Sequence, residues 1–312
     1  MNIIFGGKMS TIHRIVKNVS LTFIAQFLVS LLSMLLSVYI ARKLGDIYYG
    51  KYSFVNAYIA IFTIFTDLGY NTLMLREISR NREEAAKYLN NVLSMSIFLS
   101  TLIYILIIIV INLTDYPVET KNITYILGLS LLIQSVADRF RLVFRSFEKM
   151  EYEALTRISI FIIKVFFGTS ILYLGYGLIE LSVVFLMSSI LDVIINVIIC
   201  RNKFLKPQIE FDVNFFKSTI RKAIVFSTLP VFSIIFLKID TVMLSIIKGD
   251  APVGWYNAAY SLVLGFQPIP SLFMNCLFPM MSNCYGSSKE TLKIIYEKSF
   301  RYMFILGLPA AI

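Results

Sequence analysis

Nine times along this chain an apolar run approaches the length of about 20 residues that an α-helix needs to cross a bilayer. The runs fall near 18–40, 53–75, 89–112, 122–144, 155–174, 178–200, 223–247, 255–280 and from about 300 onward. A chain built this way is an all-α polytopic membrane protein, because only helices satisfy their own backbone in lipid one segment at a time. Composition agrees: 57% of residues are hydrophobic and 15% charged, and the mean hydropathy is +0.75. The first run is too long for a signal-peptide core and has no small-residue cleavage site, so it is expected to remain as a membrane helix. Connections between runs are short, which leaves no room for a soluble domain.

The net charge of +10 does not point to nucleic acid. Basic residues gather in alternate connections, with Lys8, Arg14 and Lys17 ahead of the first run and Arg76, Arg80, Arg82 and Lys87 after the second. The intervening connections hold only Arg42, Lys43, Lys51, Lys121 and Lys248. The positive-inside rule then puts the N terminus in the cytoplasm of a cell-membrane protein. His13 stands alone and Cys200, Cys276 and Cys284 share no metal-like spacing, so neither a metal nor another cofactor is expected. Nucleophile-elbow, zincin and phosphate-loop motifs are missing, and the chain does not read as an enzyme.

A short motif divides the chain. Gly45-Asp46, Gly50 and Tyr52 recur as Gly249-Asp250, Gly254 and Tyr256, with Gly249 standing 204 positions after Gly45. Each GDxxxGxY segment closes one apolar run and opens the next. They therefore read as equivalent turns of a parallel repeat. Residues 1–205 are expected to form a first six-helix bundle, and 206–312 the first part, about three spans, of a second. Two complete units of this length would need on the order of 400 residues, so the second bundle reads as truncated. The joint, 201–222, interleaves Phe211, Phe215 and Phe216 with Lys217, Arg221 and Lys222. It reads as a short amphipathic helix on the membrane surface or a solvated linker.

Ionisable groups inside apolar runs carry the functional signal, since each costs at least about 2.5 kcal/mol at the bilayer centre. Lys164 and Asp192 lie in runs five and six and are expected to neutralise one another. Lys238 and Asp240 share run seven, two positions apart, and so point to different faces. Asp67 sits near the inner end of run two. Asp138, Arg141 and Arg145 fall on one face of run four, where they could meet phosphate or simply mark the cytoplasmic side. Buried ion pairs that hold helices together are the plainer reading of Lys164 with Asp192 and of Lys238 and Asp240. Pro230, Pro268, Pro270 and Pro279 interrupt runs seven and eight, which predicts that the second half holds the moving helices.

VSLTFIAQFLVSLLSMLLSVYIARKLGDIYYGKYSFVNAYIAIF, DLGYNTLMLREISR, FRSFEKMEYEALTRI and FLKIDTVMLSIIKGDAPVGWYNAAYSLV together resemble polysaccharide flippases of the Wzx type. These belong to the multidrug/oligosaccharidyl-lipid/polysaccharide exporter superfamily. The resemblance implies two six-helix bundles around a central cavity. It further implies transfer of a polyprenyl-pyrophosphate-linked oligosaccharide from the cytoplasmic to the outer leaflet for surface polysaccharide biosynthesis. Such an anionic headgroup would be expected to meet Lys164, Lys238, Arg141 and Arg145, with Asp192, Asp240 and Asp67 as charge partners or sites for a coupling proton or sodium ion. A cation-coupled multidrug antiporter of the same superfamily is the nearest alternative. A membrane-embedded glycan polymerase or ligase is the alternative from another class.

Overall fold

A computed structural model describes residues 3–266, 293, 295–301 and 303–305. Eight helices precede residue 267: α1 (Ile3–Thr63), α2 (Tyr70–Arg80), α3 (Ala85–Asn112), α4 (Val118–Ser146), α5 (Met150–Tyr173), α6 (Leu178–Lys203), α7 (Val213–Lys248) and α8 (Asp250–Phe266). No strand occurs among the described residues. The run that begins near 300, most of the run over 255–280, and Pro268, Pro270 and Pro279 lie outside them.

Among the described residues five stretches are long and apolar enough to cross a membrane: Leu21–Thr66, Arg82–Asn112, Met150–Tyr173, Leu178–Lys203 and Val213–Lys248. The first supplies two crossings, because α1 folds back where Gly45 adopts φ +80° and ψ 177°. Helix α4 carries more charge, yet packs against α3 and α6. Large apolar side chains such as Ile24, Phe98, Ile109, Phe166, Met187, Ile198 and Phe232 face outward. Such a surface is stable in lipid and not in water. The chain is a multi-pass membrane protein.

Several hydroxyl side chains within the helices bond their own backbone. Ser94, Thr124, Ser182 and Ser189 each donate to the carbonyl four residues back, at 2.8, 2.7 or similar distances up to 3.0 Å. Helix ends are set by familiar chemistry. Asp212 caps α7 by accepting from Asn214 N at 2.8 Å, and the Glu180 carboxylate accepts from Gly177 N at 3.0 Å ahead of α6.

Two apolar clusters hold the bundle. One joins Tyr70, Leu73, Met74, Tyr88, Leu89, Phe140 and Phe144 to Phe215, Phe216 and Ala223 of α7. The other joins Leu36, Ile40, Tyr49, Phe54, Tyr58, Ile107, Ile123, Leu181 and Phe185 to Val253 of α8. The second cluster lies at the end bearing the two GD turns, and the first at the opposite, basic end.

Three sequence expectations change. Run two is not one helix: it passes through a 3-10 turn at Ile64–Thr66, and Leu68 (φ +46°) and Gly69 (φ +82°) break it before α2. The joint is not a free surface helix. Residues 204–212 are non-helical, and α7 starts at Val213 and runs directly into span seven. Phe215 and Phe216 are buried against Tyr88 and Tyr70. Nor does Pro230 interrupt α7, which is helical on both sides of it. In the described residues the sharp break lies in the first half, where there is no interior proline.

Candidate functional site

The two GD motifs meet. Gly45 and Gly249 have nearly the same backbone, φ +80°, ψ 177° and φ +82°, ψ −169°, a left-handed conformation that favours glycine. The second glycines then pack reciprocally. A Cβ on Gly50 would overlap the Asp250 carbonyl, and a Cβ on Gly254 would overlap the Asp46 carbonyl. Trp255 Nε1 donates to Asp46 Oδ2 at 3.0 Å across the same crossing. Tyr116 and Ser245 share a hydrogen bond of 2.9 Å, and Lys51 reaches Glu119 at 2.5 Å. The glycine and Trp255 contacts join α1 to the beginning of α8, while Tyr116–Ser245 ties the segment before α4 to α7 and Lys51–Glu119 ties α1 to α4.

Below that crossing lies a cavity of about 390 Å³ between α1, α7 and α8. Its lining is rich in hydroxyls and amides, including Ser33, Ser53, Asn56, Asn257 and Tyr260, and Lys238 is the one cation among the described residues that line it. Lys238 makes no ion pair among the described residues. Asp240, two positions on, turns toward α8, accepting from Tyr256 Oη and from Thr241 N at 2.6 Å. The two charges diverge, as their spacing requires. Ser37, Tyr49 and Ser261 belong both to this cavity and to a largely apolar groove of about 440 Å³ between α1 and α8, lined also by Val38, Ala41, Ala258 and Leu262.

A second polar cavity, about 290 Å³, lies among α1, α4, α5 and α6, and Gln26 and Val29 line both it and the first. Lys164 lines it, with its ammonium 4.1 Å from the centre of the Phe185 ring. It does not pair with Asp192. That carboxylate binds Arg141 Nη2 through both oxygens, one at 2.5 Å, and accepts from Asn196 Nδ2 at 2.8 Å. Arg141 also reaches Asp138 at 2.6 Å. Geometry decides the exchange: a planar guanidinium takes two acceptors at once, where an ammonium offers a point charge. A third cavity of about 240 Å³, sharing Asp138, Arg141 and Arg157 with the second, continues to Arg145 at the basic end. Arg145 is engaged by Glu153, its Nε at 2.9 Å, and Glu153 lies 3.5 Å from Arg157. The face of run four expected to offer free arginines therefore offers paired ones.

Asp67 lies elsewhere. It accepts from Arg139 Nη1 at 3.0 Å and from Asn71 N at 2.9 Å. Arg139, 1% exposed, also reaches Asn71 Oδ1, Ser96 Oγ at 2.7 Å and the Thr66 carbonyl at 3.4 Å. This guanidinium ties α4 to α3 and to the break before α2. The sequence marked Arg139 only as one of a basic group. Its burial depends on partners 43 to 73 positions away, and no local pattern carries that. No group of His, Cys, Asp and Glu among the described residues could hold a metal ion.

No curated protein matches the chain. Solved structures do. The chain is similar to a MATE multidrug transporter, DinF-BH, in complex with R6G, with TM-score 0.64 and 13% identity over 96% of this chain and 71% of that one. An inward-facing multidrug resistance MATE family transporter of the MOP superfamily gives TM-score 0.63 and 17% identity over 90% and 68%. A MOP superfamily transporter from Pyrococcus furiosus, described as having a binding pocket of reversed polarity, gives 0.53 and 16% over 94% and 70%. At these identities the likeness is one of fold, which is that of the MATE transporters. Residues 15–284 match the family described as polysaccharide biosynthesis protein, and the chain belongs to that family.

Proposed function

We propose that this protein is a flippase that carries a polyprenyl-pyrophosphate-linked oligosaccharide from the cytoplasmic to the outer leaflet. The observation that supports it best is the pair of spaces sharing Ser37, Tyr49 and Ser261. One is apolar and opens between helices; the other is rich in hydroxyls and carries Lys238. An amphiphile has the matching division, with a hydrocarbon tail for the groove and an anionic, hydroxyl-rich head for the cavity. Lys238 would bind phosphate by a charge-assisted hydrogen bond. Lys164, Arg141 and Arg145, along the adjoining cavities, would draw the headgroup in from the basic end. Asp240, held by Tyr256, would be the modulator of Lys238 or the site of a coupling ion. The same proposal places the N terminus in the cytoplasm and the GD turns outside.

A cation antiporter on this fold would want carboxylates facing the central cavity. Among the described residues lining it the charged one is Lys238, and Asp240 is turned to Tyr256. The test is Lys238→Ala in a strain lacking the chromosomal copy. Surface polysaccharide is expected to disappear while completed lipid-linked units accumulate on the inner leaflet and the protein is recovered folded in the membrane. Normal surface polysaccharide in that variant would reject the role of Lys238. An unchanged lipid-linked pool on both leaflets of the deletion strain would reject glycan transport altogether.

A further inference from the structure

The cavity among α1, α4, α5 and α6 has a charge imbalance that the flippase reading uses only as a general attraction for the headgroup. Its rim and lining bring together Arg141, Arg145, Arg157 and Lys164 with Asp138, Asp192 and Glu153. Every one of these carboxylates is spent on an arginine: Asp192 and Asp138 on Arg141, and Glu153 on Arg145 and Arg157. Lys164 makes no ion pair or hydrogen bond among the described residues: its ammonium stands over the Phe185 ring and feels Asp192 only through space. Arg141, 4% exposed, keeps its Nε–H buried without a hydrogen-bond partner. Gln134 lines the same space and makes no hydrogen bond among the described residues.

Buried donors left unmade are costly, and an uncompensated cation at membrane depth more so. A cation as ligand would be repelled by the surplus positive charge. A sugar chain would not fit in about 290 Å³ alongside the side chains that must hold it. We propose that this cavity binds one small inorganic anion, a halide or a monophosphate, held by Lys164, the Nε–H of Arg141 and the amide of Gln134. Arg157 borders the site and donates to Oε1 of Gln26 at 3.0 Å, and Gln26 also lines the Lys238 cavity. The anion would supply the negative charge that Asp192 gives up to Arg141.

The test needs no transport substrate, so it stands apart from the fate of the flippase proposal. Wild-type protein and the Lys164→Gln and Gln134→Leu variants are placed in zwitterionic-lipid nanodiscs in gluconate buffer. Thermal unfolding is then followed as bromide or inorganic phosphate is titrated in. Saturable stabilisation of the wild type by either ion is expected, with affinity at least about tenfold weaker in Lys164→Gln and measurably weaker in Gln134→Leu. Bromide anomalous scattering is expected between Lys164 and Arg141. An equal, non-saturating response in wild type and both variants would overturn the site, as would bromide located elsewhere. If Lys164→Gln fails to fold, Gln134→Leu and the bromide position decide. Loss of the effect when anionic lipid is added would show a lipid phosphate in the cavity and overturn the inorganic assignment.

Discussion

At the scale of single residues, Arg139 is the side chain whose loss the fold should feel most. Its guanidinium reaches Asp67, Asn71, Ser96 and the Thr66 carbonyl, all around the point where α1 gives way to α2. Removing one member of a fully buried pair leaves the other's charge uncompensated, at about 3–5 kcal/mol, and the cost is smaller here because the Asp67 side chain is 23% exposed. Arg139→Met should therefore lower the melting temperature of the detergent-purified protein sharply. Asp67→Asn should cost less, because Arg139 keeps its other acceptors. Equal losses in the two variants would mean that the Asp67 contact dominates the network. Asp250 supplies a pH-dependent case. Burial raises its carboxyl above the ordinary 3.8, against the pull of Lys51 and with a further push from Glu119. A carboxyl raised by burial favours the packed state at low pH: that contribution is full below the ordinary value and is lost as pH rises through the raised one. Asp250→Asn should thus raise the melting temperature at neutral pH, with an advantage that shrinks as pH falls through the carboxylate range. An advantage independent of pH would exclude this cause.

At the scale of elements, hydropathy located the crossings and left their interruptions unread. Apolar runs announce helices whatever their backbone does, so Ile64 to Gly69 passed as the middle of a span although two residues there have positive φ. The prolines misled in the other direction. Pro230 lacks an N–H, yet α7 stays helical past it, as membrane helices can when their surroundings satisfy the freed carbonyl. The GD segments were legible because glycine at fixed spacing marks a backbone that no side chain fits. What the sequence could not show is that the two turns touch, since each glycine's reason lies on the other helix. Gly50→Leu and Gly254→Leu should each force α1 and α8 apart. A cysteine in place of Ser245, buried beneath the crossing, should then react faster with a membrane-impermeant maleimide. No change in labelling rate in either variant would show that the crossing accommodates the bulk without opening.

At the scale of the whole molecule, the charged candidates were legible as a set but not as a circuit. Lys164, Asp192, Lys238, Asp240 and Arg141 stood out because ionisable groups are rare in apolar runs. Which cation takes Asp192 depends on how α4, α5 and α6 are arranged around it, and periodicity does not encode that. The arrangement instead places a cavity with Lys238, which has no ion pair among the described residues, below a crossing built from two equivalent motifs. Contacts at the opposite end also join α7 to α2, where a Cβ on Gly69 would overlap the Ala223 carbonyl. On the proposed function, transport by rocking of one bundle against the other would require the GD crossing to separate during each cycle. Ile47→Cys and Ala251→Cys, matched positions in the two motifs, can be introduced together after the native cysteines are replaced. Joining them with a short bismaleimide should stop polysaccharide export without unfolding the protein. A reducible linker should restore export once cleaved, and each single cysteine, treated with the same reagent, should leave export intact. Full export with the two motifs covalently joined would mean that this crossing is a fixed hinge, and the moving contact would then have to be sought at Gly69 and Ala223.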